Sequence, residues 1–163
     1  MSNHHIVLFA VFAFLFLFFG CLGSETENGK NYIEIINASG TNSTITTIFV
    51  EIADEPDEIS KGLMFRELLA PDHGMLFLLN RDDFHPFWMK NTKIPLETIY
   101  IAANGTIVDI IEMEPCKADP CRIYTPKSKS RYVLEVNANL SKMKGFRILD
   151  YVDISRAVNL NKS

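Results

Sequence analysis

Three regimes of hydrophobicity follow one another along the chain. Residues 6–19 are apolar at every position, residues 23–31 contain no apolar side chain, and from Tyr32 onward short apolar stretches alternate with turn signals. Within the third regime, residues 44–52 are rich in β-branched side chains and predict a strand. Residues 54–63 open on acidic groups, carry Pro56 in the first turn and reach Gly62 at the end, the punctuation of a short helix. Residues 74–79 form an unbroken apolar run that predicts a strand buried on both faces. Residues 86–90 and 98–101 follow as strands, and Asn104-Gly105 predicts a two-residue type I′ turn that folds 107–113 back as an antiparallel partner. Residues 131–137 and 150–154 complete the strands, and 138–145 predict two turns of helix ended by Gly145. Strands dominate, with two short helices, so the expected class is α+β.

The first two regimes set the expected address. As a helix, the 14 residues of 6–19 cover roughly 21 Å, short of the roughly 30 Å hydrocarbon layer, which suits a signal-peptide core better than a span. Phe18-Phe19-Gly20-Cys21 closes the run and looks like the lipobox of secreted lipoproteins, in which the cysteine is lipid-modified and becomes the new N-terminus. Two departures stand against it: phenylalanines occupy positions where smaller or aliphatic side chains are usual, and Ser2-Asn3-His4-His5 offers no Lys or Arg. Three readings stay open, namely a lipid on Cys21, an uncleaved N-terminal anchor helix, and a cleaved, free chain. Each places the remainder outside the cytoplasm, on the outer face of the cell membrane in the first two. The expected organisation is a signal peptide or anchor over 1–20, a flexible tether over 21–31, one β-rich domain over 32–158 and a tail over 159–163. Such a tether reaches about 15–20 Å from the bilayer.

Composition adds little to the fold and more to the setting. The net charge of −4 falls wholly after the leader, and an acidic domain without a basic stripe is a poor nucleic-acid binder. Acceptor sequons at Asn37, Asn42, Asn104, Asn139 and Asn161 agree with export.

Four ordered blocks carry a family resemblance: Gly62-Leu63-Met64-Phe65-Arg66, Gly74-Met75-Leu76-Phe77, Phe87-Trp88-Met89-Lys90-Asn91-Thr92 followed by Ile94-Pro95-Leu96, and Arg131-Tyr132-Val133-Leu134-Glu135-Val136. They resemble the family catalogued as domain of unknown function 192. The resemblance implies a compact, strongly twisted, mainly antiparallel sheet closing toward a barrel, with short helices at its ends, and it implies no established activity. The chain departs from the family pattern at Glu97, where Asp is usual, at Asn137, where Pro is usual, and at Asn139 and Leu149, where glycines are usual. Asn tolerates left-handed backbone, whereas Leu149 would be strained there.

Candidate chemistry is sparse. Cys116 and Cys121, with four residues between them in a proline-bearing loop, are expected to form a disulfide outside the cytosol; a redox-active pair or a metal-binding pair are the alternatives. If Cys21 carries lipid, no thiol is left over. His73, Asp82, Asp83 and His85 flank the 74–79 run and would make a two-histidine carboxylate metal site if they met at one end of the strand, although polar turns are the plainer reading. Strand alternation puts Phe87, Met89 and Asn91 on one face and Trp88 with Lys90 on the other. Tyr132, Leu134 and Val136 are expected in the core, leaving Arg131, Val133, Glu135 and Asn137 on the opposite face. Arg66, Lys90, Asn91, Glu135 and Asn137 then line a small polar pocket beside Trp88 and Met64, Met75 and Met89, with Lys90 and Glu135 as a charge pair and Trp88 as a stacking platform. Methionine thioethers also suit Cu(I), though packing is their commoner use.

No cofactor or catalytic motif stands out. The expected protein is a membrane-tethered, monomeric, noncatalytic binding or structural module for a small solute or glycan. Its rivals are a metal-assisted hydrolase built on the histidines and a thiol redox partner.

Overall fold

The computed structural model describes residues 31–39 and 43–160, and over them the apolar stretches fold as nine strands and three short helices. In chain order these are β1 (Tyr32–Ile36), β2 (Thr44–Ala53), α1 (Pro56–Lys61), β3 (His73–Asp83), β4 (Phe87–Trp88), β5 (Leu96–Ile101), β6 (Ile107–Met113), β7 (Ile123–Tyr124), β8 (Ser130–Asn137), α2 (Leu140–Lys144), β9 (Tyr151–Asp153) and α3 (Ser155–Leu160). The leader, Cys21, the tether up to Lys30, and the sequons at Asn42 and Asn161 lie outside the described residues. Among the described residues no helix is long and apolar enough to cross a membrane.

Seven strands form one sheet in the order β6-β5-β8-β3-β2-β1-β9, and β4 with β7 makes a separate two-stranded ribbon. Neighbours are antiparallel except β2 and β3, which run parallel. A parallel pair cannot be joined by a tight turn and needs a crossover. Here α1 and the loop after it supply the crossover, crossing one face of the sheet. The sheet also curls until its edges meet at one end. Thr106 bridges Tyr151, the Ile107 N–H donates to the Asp150 carbonyl at 2.9 Å, and the Val152 N–H donates to the Gly105 carbonyl at 2.8 Å. The class is α+β, a mainly antiparallel half-barrel with short helices.

Side-chain alternation along the curled strands produces two cores rather than one. The inner face gathers Ile33, Ile35, Ile48, Leu76, Ile99, Ile101, Leu134 and Val136, capped by Leu140, Phe146 and Ala157 from the α2 and α3 regions. The outer face gathers Met75, Phe77, Leu96, Tyr100, Met113 and Val133 beneath Leu63, Met89 and Tyr124. Tyr132, Leu134 and Val136 pack on the inner core as alternation requires, yet Val133 and Glu135 on the opposite face are buried as well. The crossover and the β4/β7 ribbon cover that face.

Several local expectations are corrected. A third helix, α3, takes up the last residues assigned to the domain and the first two assigned to the tail. Asp153 sets its start, its Oδ1 accepting the Ser155 N–H at 2.9 Å, and Ala157 is fully buried in the inner core. The Asn104-Gly105 turn is not type I′: only Gly105 has positive φ (88°), the Gly105 N–H donates to the Ala102 carbonyl, and the β5/β6 register shifts between Tyr100 and Ile101. That is a longer loop with glycine at its left-handed position, and it still pairs β5 and β6 antiparallel. The two positions lacking the family's glycines both take left-handed backbone, Asn139 at φ 65° and Leu149 at φ 81°. Leu149 is held there by its N–H donating to the Ile107 carbonyl at 2.9 Å, inside the edge-to-edge seam that closes the half-barrel.

Candidate functional site

Register places one carboxyl at the centre of the covered outer face. Glu135 on β8 stands between Met75 of β3 and Thr98 of β5, and the adjoining row is Phe77, Val133 and Tyr100. Over them lies the turn that ends α1. Gly62 there has φ 47° and ψ −135°, backbone that a side-chain-bearing residue adopts only with strain. A Cβ at Gly62 would stand 3.3 Å from Phe77 Cζ and 3.6 Å from Glu135 Oε2, so the glycine roofs the carboxyl directly. Between this turn and β4 a narrow opening of about 30 Å3 leads down to Glu135, with Phe77, Phe87, Trp88 and Thr92 around it. Phe77 and Phe87 meet edge to face at 5.2 Å, and Phe87 meets Tyr100 the same way at 6.2 Å. On the other side of Gly62 and Met64 the hollow widens into a groove of about 420 Å3, with Met75 at its base and Glu51, Phe65 and Arg66 along it. The two spaces lie on either side of Lys61, Gly62 and Met64, which line both, and Met75 and Glu135 beneath them are register partners.

The electrostatics of this groove are unusual. Glu135 is 4% exposed and receives no side-chain hydrogen bond from the described residues, and burial pushes its carboxyl up to about 8. The Tyr100 hydroxyl beside it is fully buried without a partner among the described residues, and burial, with Glu135 and Asp109 nearby, pushes that phenol well above its ordinary range. Other buried acids are satisfied. Glu97 accepts the Ser141 N–H at 2.8 Å and hydroxyl at 2.6 Å, and Asp109 accepts the N–H groups of Ile110 and Lys127 at 3.0 and 2.7 Å. Glu135 is therefore the exception that calls for an explanation.

The structure brings some of the expected site residues together and separates others. Arg66 lies on the groove wall, engaged by both nitrogens with the Glu51 carboxylate at 2.6 and 2.5 Å. Trp88 is exposed on the rim, and the Lys90 ammonium sits 5.8 Å from its ring centroid. Lys90 does not pair with Glu135; it faces Asp119 at 3.7 Å, because alternation along 87–91 turns it outward while Glu135 points beneath the cover. Asn91 takes φ 57° and directs its amide at Met64 Sδ, 3.9 Å away. Asn137 is not at the groove: its amide donates to the carbonyls of Leu69 and Ala70 at 3.1 and 3.0 Å, fastening the crossover to the end of β8. Gly62, Phe77, Phe87 and Thr92 complete the opening. The sequence offered no sign of their role except that each falls within a family block.

The histidine cluster does not assemble. His73 begins β3 and Asp83 ends it, ten residues on, which at about 3.3 Å per residue is about 33 Å. His73 instead contacts Asp72 at 2.8 Å, His85 contacts the Arg81 carbonyl at 3.0 Å, Asp82 pairs with Arg131 at 2.9 Å and Asp83 with Arg81 at 3.1 Å. Among the described residues the tight grouping of ligand-type side chains is Cys116, Asp119 and Cys121, where the two cysteines face one another with Cα atoms 5.5 Å apart. Their loop is fixed to the groove's wall, since the Cys116 N–H donates to the Met89 carbonyl at 3.3 Å and the loop links β6 to β7, the partner of β4.

A half-barrel whose convex face is roofed by a crossover turn, leaving a groove over a solitary buried acid, defines the class of protein by its architecture. The family model for domain of unknown function 192 (DUF192), described as an uncharacterized ACR, matches residues 36–154, and the chain belongs to that family. It is 29% identical over 109 residues to a UPF0127 protein of Pyrococcus abyssi, covering 64% of this chain and 84% of that one. To a UPF0127 protein of Pyrococcus horikoshii it is 30% identical over 91 residues, covering 53% and 70%. Among solved structures it resembles a Sinorhizobium meliloti protein described as a candidate transcription regulator, with TM-score 0.69, 36% identity, and 76% and 92% of the two chains covered. It also resembles a protein of unknown function from Novosphingobium aromaticivorans, with TM-score 0.64, 30% identity, and 75% and 83% covered.

Proposed function

We propose that this protein is a noncatalytic binding module that takes a small polar solute in the groove over Glu135. The observation that carries the reading is the state of that carboxyl. This acid is 4% exposed, takes no hydrogen bond from the described residues, and lies at the end of an opening rather than sealed in the core, so it can accept a donor from outside the chain. The neighbouring groove of 420 Å3 suits a small molecule, and all four segments that carry the family resemblance contribute to the opening beside it, through Gly62, Phe77, Trp88 and Glu135. No nucleophile–base pair adjoins the carboxyl among the residues of the opening, which favours recognition over chemistry. The acidic net charge of −4 argues against nucleic acid as the partner.

Trp88 is the sole tryptophan, so intrinsic fluorescence reports on the rim alone. Titration with a panel of sugars, amino acids, amines and organic acids is expected to shift Trp88 emission saturably for at least one class, with the response lost in Glu135→Gln. Silence across the panel would remove the binding reading.

The setting we propose is the outer face of the cell membrane. The apolar run of residues 6–19, Gly20-Cys21 after it and the polar tether support attachment through the N-terminus, by lipid on Cys21 or by an uncleaved helix. The same location favours a Cys116–Cys121 disulfide, which would hold the β4/β7 wall of the groove. Intact mass of the native protein extracted from its membrane is expected to show either loss of residues 1–20 with a diacylglycerol-sized adduct or the whole chain with its leader retained, with two fewer hydrogens for the cysteine pair in both cases. The unmodified mass of the soluble chain would contradict the tether.

A further inference from the structure

The shape and chemistry of the inner end of the groove say which group of a ligand it admits, an inference that rests on the binding reading above. We propose that the opening over Glu135 takes the ammonium of a primary alkylamine, seated between the Glu135 carboxyl and the rings of Phe77, Phe87 and Trp88. Three independent features converge on this group.

The first is the missing donor. Glu135 is 4% exposed, its neighbours in the row are the thioether of Met75 and the hydroxyl of Thr98, and that hydroxyl is turned to Met113 Sδ at 3.4 Å. A ligand that supplies N–H donors and a positive charge satisfies the carboxyl in a single contact, and such charge-assisted bonds are about twice as strong as neutral ones. The second is the wall. Aromatic faces attract cations through the ring quadrupole, and the Trp88 ring already draws one ammonium of this chain, that of Lys90, to its vicinity at 5.8 Å. Lys90 is held outside by Asp119, so its charge does not occupy the opening. The third is size. The opening, about 30 Å3, is narrow and has room for a compact headgroup such as an –NH3+. The ligand's stem would leave past Gly62 and Met64 toward the neighbouring groove, where Met75 and Phe65 stand with the charged Glu51, Glu58 and Arg66.

The charged and titratable groups around the carboxyl are Lys61 at the end of α1, Lys90 after β4, Tyr100 on β5 and Asp109 on β6. Lys61 is exposed at the rim, and neither Tyr100 nor Asp109 supplies the acid with a hydrogen bond. Binding of an ammonium draws the ionised form of Glu135, so affinity is expected to rise several-fold from pH 7 to about pH 8.5, where an alkylamine of pKa near that of lysine, about 10.4, is still protonated.

The test is a two-dimensional amide NMR titration of the full chain in detergent micelles with n-butylamine, n-butanol and tetramethylammonium chloride at pH 8. Saturable shifts of the Trp88 indole N–H and the Gly62 amide by n-butylamine, at least ten-fold tighter than by either of the others, are expected. Glu135→Gln is expected to weaken the amine at least ten-fold, and Phe87→Leu, which removes a ring and keeps the acid, several-fold. A free amine and a lysine of a peptide present the same group, and Nα-acetyl-lysine methylamide distinguishes them: tighter than n-butylamine indicates a lysyl ligand, equal or weaker a free amine. Equal binding of n-butanol and n-butylamine overturns the ammonium while the groove stands. The same holds if all three are silent but Trp88 answers another solute class. If the solute panel is silent as well, the binding reading falls with it.

Discussion

Glu135→Gln is expected to raise the melting temperature at pH 8 by several degrees and to flatten the pH dependence of stability. The Glu135 carboxyl titrates at about 8 in the folded chain against an ordinary value of 4.5, raised by burial. Between those values the unfolded chain has released its proton and the folded chain still holds it. The native state binds more protons, so stability falls as pH rises, by at most about 1.4 kcal/mol per unit. Below about pH 4.5 both states are protonated and the penalty vanishes; above about pH 8 both are ionised and it is constant at a few kcal/mol. Glutamine keeps the shape and removes the ionisation. Thermal melts of both proteins at about pH 5 and pH 8 should converge at the lower value and separate at the higher. Parallel behaviour at both would mean that the carboxyl is solvated or paired.

The other large effect is at the pairing of β3 with β8. Gly74→Ala would place a Cβ 2.6 Å from the Glu135 carbonyl oxygen and 3.0 Å from Val136 Cγ1, and the first of these is backbone that cannot rotate away. Both strands are interior to the sheet, so relief requires separating the central ladder. A loss of about 3 kcal/mol or more is expected in urea denaturation, at the upper end of overpacking costs. Gly145→Ala is a fitting control, since nothing lies within 4 Å of its Cβ position and only φ of 84° opposes it, which costs about 1 kcal/mol. Equal midpoints for Gly74→Ala and the parent would show that β3 and β8 do not approach as described.

Much of this fold is legible in the sequence wherever local pattern decides. Residues 44–52 become β2, the unbroken run 74–79 falls within β3 with its first four residues buried on both faces and Leu78 and Leu79 half-buried, and the Pro56 and Gly62 punctuation becomes α1. What stays hidden depends on partners distant in sequence. The parallel pairing of β2 with β3 is invisible to alternation, and with it the fact that the crossover roofs the outer face and turns Glu135 from a surface residue into a buried one. The same blindness produced the Lys90–Glu135 pair: alternation sorts faces correctly but cannot say that Trp88 and Lys90 ride on a ribbon outside the sheet. β7 is two residues long and exists only because β4 lies beside it, and α3 lies at the end of the chain, where a short helix has weak periodicity. The histidines flank one strand in sequence, and an extended strand of 11 residues keeps its ends far apart. The Leu149 departure from the family pattern was readable as strain, and the backbone carries it at φ 81°.

The solitary acid at the groove's inner end is the claim on which the rest depends. It is measured most directly by following the Glu135 side-chain carboxyl carbon by NMR across about pH 4 to 10 in the ligand-free protein. The expected midpoint is about 8; a midpoint near 4.5, the ordinary value, would contradict a buried carboxyl waiting for a donor.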